Sequence, residues 1–201
     1  MNGSSMGSLH PMLRNLIGMT HKDKEKWDLR HQKDPGVLAP SFLVAQYALL
    51  GPCGKALDIA CGNGRNSLFL AEKGFKVEAV DISSVALDRV AGLHPGITAL
   101  CLDIDGWMIP KNKYDLIANI RFLDRRLFPM IVDGLKPGGV LIFESFAGGE
   151  GDLYCVKKNE LLHAFFALHI VFYEEKKLEE GGRFDQAAGL VGIKPGDKPR
   201  Q

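Results

Sequence analysis

The chain has 201 residues, of which 46% are apolar and 24% charged, with 25 Lys and Arg against 24 Asp and Glu. This length and apolar share build one globular domain and exclude a disordered chain or a collagen-like repeat. The near-neutral balance, net +1, speaks against a general nucleic-acid binder, which carries a basic excess to displace counterions.

The N-terminal third differs from the rest. Met1–Ser8 is rich in Gly, Ser and Asn and reads as disordered, and His21–Asp34 is dense in charge with Trp27 as its large aromatic. That run predicts a solvated helix or a mobile arm. Residues 1–38 are therefore expected to form an N-terminal segment with a helical arm or lid, and residues 39–201 the folded domain. Pro35-Gly36 breaks the chain, and Ser41 caps a short helix that ends at Gly51-Pro52. A regular alternation follows. Ala56–Ala60 is a strand, a glycine turn leads to a helix over Arg65–Lys73, and Lys76–Val80 is a second strand ending at Asp81. Ser83 caps a helix over Val85–Leu93; Ile97–Leu102 is a third strand ending at Asp103, and Tyr114–Ile120 a fourth. A helix over Leu127–Leu135 precedes a fifth strand, Val140–Phe146. Short apolar strands separated by helices predict an α/β, Rossmann-like doubly wound parallel sheet. An amphipathic helix over Asn159–Leu168 and two strands, Ile170–Lys176 and Phe184–Ile193, close the chain. The link between those strands is too short for a helical crossover, so they pair antiparallel.

In an open α/β sheet the ligand sits beyond the carboxyl ends of the strands. Asp58, Asp81 and Asp103 mark three successive strand ends, each one βα unit after the last, and so face one rim. The first of these strands runs into Ala60-Cys61-Gly62-Asn63-Gly64, whose glycines admit positive φ and a close ligand approach. Two ligands compete for such a loop. A dinucleotide fingerprint needs a third glycine, and Ser67 stands in that place. A nucleoside ligand without a pyrophosphate needs only an acid beside the loop. Asp81 can accept two ribose hydroxyls in either case. Asp103 favours the nucleoside, because its carboxylate can accept from an adenine amine while the Ile104 N–H donates to a ring nitrogen and Ile82 packs on the ring.

The runs LDIACGNGRNSLFLA, VEAVDIS, LCLDID, YDLIANI and LKPGGVLIFESF, in that order, resemble the motif series of class I S-adenosylmethionine-dependent methyltransferases. ACGNGRNSLFLA, the segment Asn119–Arg125 and Asn159-Glu160-Leu161-Leu162 are most similar to the tellurite-resistance, TehB-like branch, itself similar to thiopurine methyltransferases. The resemblance implies a seven-stranded sheet of order 3-2-1-4-5-7-6 with strand 7 antiparallel. It implies S-adenosylmethionine as cofactor and a small-molecule acceptor, such as a thiol, a thiopurine or a metalloid oxyanion. Asp58 and the Gly62–Gly64 loop would hold the methionine part, Asp81 the ribose, Asp103 and Ile104 the adenine, and Asn119 would lie near the sulfonium. Ala60 replaces the first glycine of the usual loop, which implies a slightly altered turn. An oxidoreductase using a nicotinamide cofactor and a non-catalytic cofactor-binding module remain as alternatives.

For the acceptor, the rim offers Trp27, Arg30, Arg121, Phe122, Phe146 and Arg183. Arg121 and Arg125 can attract an anion or stand at a solvated helix start, and Trp27 can stack on a ligand or anchor the first helix. His31, in the charged run, reads as a surface residue, and Cys61 reads as packed within its loop. No nucleophile–base pair and no metal-ligand spacing is evident, so no catalytic residue is assigned. Cys53, Cys61, Cys101 and Cys155 form no CxxC pair and read as free thiols of a reducing cytosol. No apolar run reaches the roughly 18–20 residues that cross a bilayer, and no membrane or nucleic-acid partner is expected.

Overall fold

The computed structural model describes residues 21–33, 39–148, 152–178 and 184–196. β1 (Lys55–Ile59), β2 (Lys76–Asp81), β3 (Ile97–Cys101), β4 (Tyr114–Ile120) and β5 (Leu135–Ala147) pair in parallel, in spatial order 3-2-1-4-5. Beyond β5 the direction reverses. β8 (Gln186–Ile193) runs antiparallel to β5, and β7 (His169–Lys177) runs antiparallel to β8. This is the predicted seven-strand order with one element added: β6 (Cys155–Val156) pairs parallel with the end of β5 and makes the sheet eight-stranded among the described residues. Two residues carry no periodicity, so sequence patterning could not announce β6.

All seven residues of β4 are buried, as expected of the centre of a parallel sheet covered on both faces. The alternation of side chains along each strand then builds two apolar layers. Leu57, Ile59, Ile117, Leu141 and Phe143 face one side, against Leu127, Phe128 and Ile131 of α5 (Leu127–Gly134) and against Phe165. Ala56, Leu116, Ala118 and Ile142 face the other, against Val44 of α2 (Phe42–Tyr47) and Leu70 of α3 (Arg65–Glu72). Ser41 caps α2, its hydroxyl accepting from the Val44 N–H, and Ser83 caps α4 (Ser84–Val90) through the Ala86 N–H.

Two helices differ from expectation. The predicted helix over Asn159–Leu168 is a single turn, α6 (Glu160–Ala164). After it the chain bends so that Phe165 and Leu168, 0% and 5% exposed, enter the layer that holds Phe128 and Phe143. The charged run does form a helix, α1 (His21–Lys33), and it packs against α4. Lys24, Trp27, Asp28 and His31 share one face of α1, at the helical i, i+3 and i+4 spacing. That face is polar and aromatic rather than apolar, so hydropathy alone gave no sign that it would be covered. Residues 1–20, including the Met1–Ser8 segment read as disordered, lie outside the described residues.

Candidate functional site

The site is built where β1 turns into α3. Ala60, Gly62 and Gly64 all take left-handed backbone angles, with φ of 51°, 54° and 79°. The loop needs that curvature to stay close to its neighbours. The Cys61 N–H donates to the Val80 carbonyl at 3.0 Å, and a Cβ on Gly64 would stand 2.7 Å from Val90 Cγ2. Ala60 adopts the angle a glycine would take there, so the altered loop sequence leaves a left-handed turn in place at the expense of some backbone strain. The Cys61 thiol is buried, and burial pushes its pKa well up, which keeps it unreactive.

Asp58 lies one residue before the end of β1 and is 1% exposed. Its Oδ2 accepts from the Ser67 hydroxyl at 2.6 Å. Burial, reinforced by the nearby charge of Asp81 and opposed by the Ser67 bond, pushes its pKa up to about 7. Ser67, the wholly buried residue in the third-glycine position, therefore clamps Asp58. That contact was not apparent from spacing.

Asp81 ends β2, and its carboxylate links two loops. Oδ2 accepts the Gly62 N–H at 2.9 Å and Oδ1 accepts the Ser83 N–H at 2.8 Å. Each oxygen keeps a further lone pair for a ligand hydroxyl. The Leu102 N–H donates to the Asp81 carbonyl, which brings the exit of β3 beside β2. Asp103 follows as an exposed residue, its Oδ1 accepting the Asp105 N–H at 3.0 Å to cap a 3-10 turn over Ile104–Gly106. Ile82 and Ile104 are 9% and 5% exposed on either side of this rim.

On the other flank, Asn119 is registered with Ile59 and is 1% exposed. Its Nδ2 donates to the Phe122 carbonyl at 2.7 Å, while its Oδ1 is buried without a hydrogen-bond partner among the described residues. Arg121, next but one, has φ 62° and sends its Nε to Oε1 of buried Glu144 on β5. Its guanidinium carbon lies 4.7 Å from the centre of the Phe146 ring, and Phe146 packs on Phe184 at 4.6 Å. Arg121 and Phe146 thus stand together at the carboxyl ends of β4 and β5, with Phe122 next to Arg121 in the chain. Arg125 is engaged by protein groups. It binds both oxygens of Glu160 and the carbonyls of Leu153 and Cys155, and serves as a clip between loops.

From α1, Trp27 stacks on His31 at 5.9 Å, and Arg30, exposed, sits over the Trp27 ring at 5.1 Å. His31 itself is 9% exposed, contrary to the expectation of a surface residue. Residues 34–38 and Arg183 lie outside the described residues. Among the described residues Cys53, Cys61, Cys101 and Cys155 form no disulfide, and no described helix is long and apolar enough to cross a membrane.

In sequence and in fold the chain is similar to known proteins. Residues 56–139 match the family described as methyltransferase domain. Over 168 residues the chain is 29% identical to hemagglutinin 1 of Eikenella corrodens, covering 75% of this chain and 55% of that protein. Over 98 residues it is 33% identical to "Probable S-adenosyl-L-methionine-dependent methyltransferase TehB" of Haemophilus influenzae, covering 44% of this chain and 32% of that one. The chain thus spans about half, or less, of the length of these curated relatives. In fold it is similar to the 1,6-didemethyltoxoflavin-N1-methyltransferase of Burkholderia thailandensis, whose structure holds S-adenosylhomocysteine. The TM-score is 0.68 at 15% identity, over 96% of this chain and 93% of that one.

Proposed function

We propose that this chain, whose residues 56–139 match a methyltransferase domain and which is similar to an S-adenosylmethionine-dependent methyltransferase, transfers a methyl group from S-adenosylmethionine to a small-molecule acceptor. The observation that carries this reading is Asn119 Oδ1, a buried acceptor with no partner among the described residues, beside the glycine loop. Such an atom is rare in a finished core, and a ligand N–H would satisfy it. The neighbouring groups fit the same ligand. Asp81 has one lone pair on each oxygen for a pair of ribose hydroxyls, and Asp103 with the Ile104 N–H presents an acceptor and a donor to the edge of an adenine. Ile82 offers an apolar contact to the ring. Asp58, with Ala60, Cys61, Gly62, Asn63 and Gly64, borders the aminoacyl end.

When bound, S-adenosylmethionine supplies a methyl group on a positively charged sulfur, already activated for displacement. What is left for the protein is to hold the acceptor in line, exclude water and keep the donor end rigid. Asn119 is fixed for that purpose by its bond to Phe122, and Asp81 by its two backbone donors. On this reading Arg121, Phe122 and Phe146, with Trp27 from α1, would border the side on which the acceptor enters. A thiolate or a reduced metalloid oxyanion already has a nucleophilic lone pair and needs no base. A thiol, a thiopurine or a metalloid oxyanion is therefore the acceptor class this rim suits best.

Calorimetric titration with S-adenosylhomocysteine tests the donor site: binding is expected for the native protein, with a loss of at least tenfold in Asp81→Ala. A folded sample that gives no heat overturns the reading. A radiolabelled methyl-transfer screen over thiols, thiopurines, metalloid oxyanions, phenols and amines tests the acceptor class.

A further inference from the structure

Helix α1 brings to the glycine loop a side chain that neither the nucleoside contacts nor the acceptor side employs. His31 is 9% exposed, and its Nδ1 is buried with no hydrogen-bond partner among the described residues. The Cε1 atom, bonded to that nitrogen, faces Gly62: a Cβ on Gly62 would stand 3.4 Å from it. The imidazole is held by Trp27, stacked at 5.9 Å with 28° between the rings.

α1 is itself pinned to the site. Asp28 Oδ1 accepts from the Ser83 hydroxyl at 2.6 Å and from the Val85 N–H at 3.4 Å, and Lys24 Nζ donates to Asp28 and to the Ser84 hydroxyl. Ser83 also donates its N–H to Asp81 Oδ1. One short segment therefore both docks α1 and orients Asp81. An imidazole nitrogen left unpaired in such an ordered place is held ready for a partner that arrives with a ligand.

The chemistry of the loop says which end of the ligand this is. The aminoacyl end of the cofactor carries an ammonium and a carboxylate. Asp58 and Asp81 are acids, suited to ammonium and hydroxyl donors and unsuited to a carboxylate. A carboxylate needs N–H donors, and a neutral imidazole with its proton on Nδ1 is one. We propose that His31 is a donor-site residue whose Nδ1–H binds the carboxylate of the cofactor's aminoacyl end. This rests on the methyltransferase reading and extends that site to α1, in a residue the charge pattern had assigned to solvent.

The test compares two ligands. S-adenosylhomocysteine has the aminoacyl chain; 5′-methylthioadenosine has the same nucleoside without it. In calorimetry, His31→Phe, which keeps the ring and its stacking on Trp27, should weaken S-adenosylhomocysteine roughly tenfold or more, the scale of a hydrogen bond to a charged group. Methylthioadenosine should bind within about twofold of the native value. His31→Asn, which restores an N–H donor near Nδ1, should recover part of the lost affinity and serves as the deciding variant where His31→Phe does not fold. An equal loss for both ligands marks a merely structural role and overturns the proposal, as does no loss for either. Should the native protein bind methylthioadenosine and S-adenosylhomocysteine equally well, the aminoacyl assignment fails while the nucleoside site stands. Should it bind neither, the methyltransferase reading itself fails, and this proposal with it.

Discussion

Asp58→Asn isolates a carboxyl that the fold holds against its ionic preference. Asp58 is 1% exposed, and its pKa is pushed up to about 7 from an ordinary 3.8, first by burial and then by the charge of Asp81. A carboxyl whose pKa is higher in the folded state binds its proton more tightly there than in the unfolded chain. Its stabilising contribution is complete below about pH 4 and is lost as pH rises through about 7. Between pH 5 and pH 7 the folded group stays protonated while the unfolded one is ionised, so each pH unit removes about 1.4 kcal/mol. Two such units amount to about 3 kcal/mol, and at 2–4 °C per kcal/mol for a chain of this size that is a fall in Tm of roughly 6–12 °C. Asn cannot ionise, yet its amide oxygen can still accept the Ser67 hydroxyl. The variant is therefore expected to match or fall slightly below the native protein at about pH 4 and to exceed it by a growing margin up to pH 8. Urea or thermal melts of both proteins across that range, read as the difference between them, cancel every other titrating group. Parallel curves, with a difference that changes by less than about 0.5 kcal/mol, would refute the argument from burial. The same variant should bind S-adenosylhomocysteine more weakly at pH 8, because the ammonium would lose its buried counter-charge.

Ala60 carries φ 51° and Gly64 φ 79°, so two substitutions should move stability in opposite senses. Ala60→Gly relieves left-handed strain and should leave the protein unchanged or raise its stability by up to about 1 kcal/mol, while Gly64→Ala, whose Cβ would meet Val90, should lower it by more than about 1 kcal/mol. Urea melts decide, and a destabilised Ala60→Gly contradicts the strain argument. Arg121→Ala strands the carboxylate of Glu144, whose side chain is 9% exposed, and should cost about 1–3 kcal/mol. Adding Glu144→Gln should recover part of that loss, and purely additive effects would show that the pair is not coupled.

The strand sequence was legible because parallel buried strands are local patterns. Tyr114–Ile120 is apolar enough to announce itself, and the return of an aspartate at each strand end follows from one βα unit per strand. Asp58, Asp81 and Asp103 could thus be put on one rim from spacing. The sheet order, including its antiparallel end, followed from the resemblance and from a connection too short for a crossover. Other features depended on segments far apart in the chain. Arg121 and Phe146 meet only because β4 and β5 lie side by side, and the role of Arg125 appears only when Glu160 and the Leu153 and Cys155 carbonyls converge on it. The single-turn α6 reflects the same competition: Phe165 and Leu168 leave the helix to fill the apolar layer around Phe128 and Phe143.

From residues alone came the repeating α/β pattern, the glycine turn and the row of strand-end acids, because each is written in spacing and backbone preference over a few neighbouring positions. Tertiary structure alone decided that a charged helix would bury His31 against Gly62, that Ser67 would clamp Asp58, and that Asn119 would keep an unpaired oxygen. Those outcomes depend on which distant surfaces exclude water from one another, and hydropathy along a single segment does not contain that information.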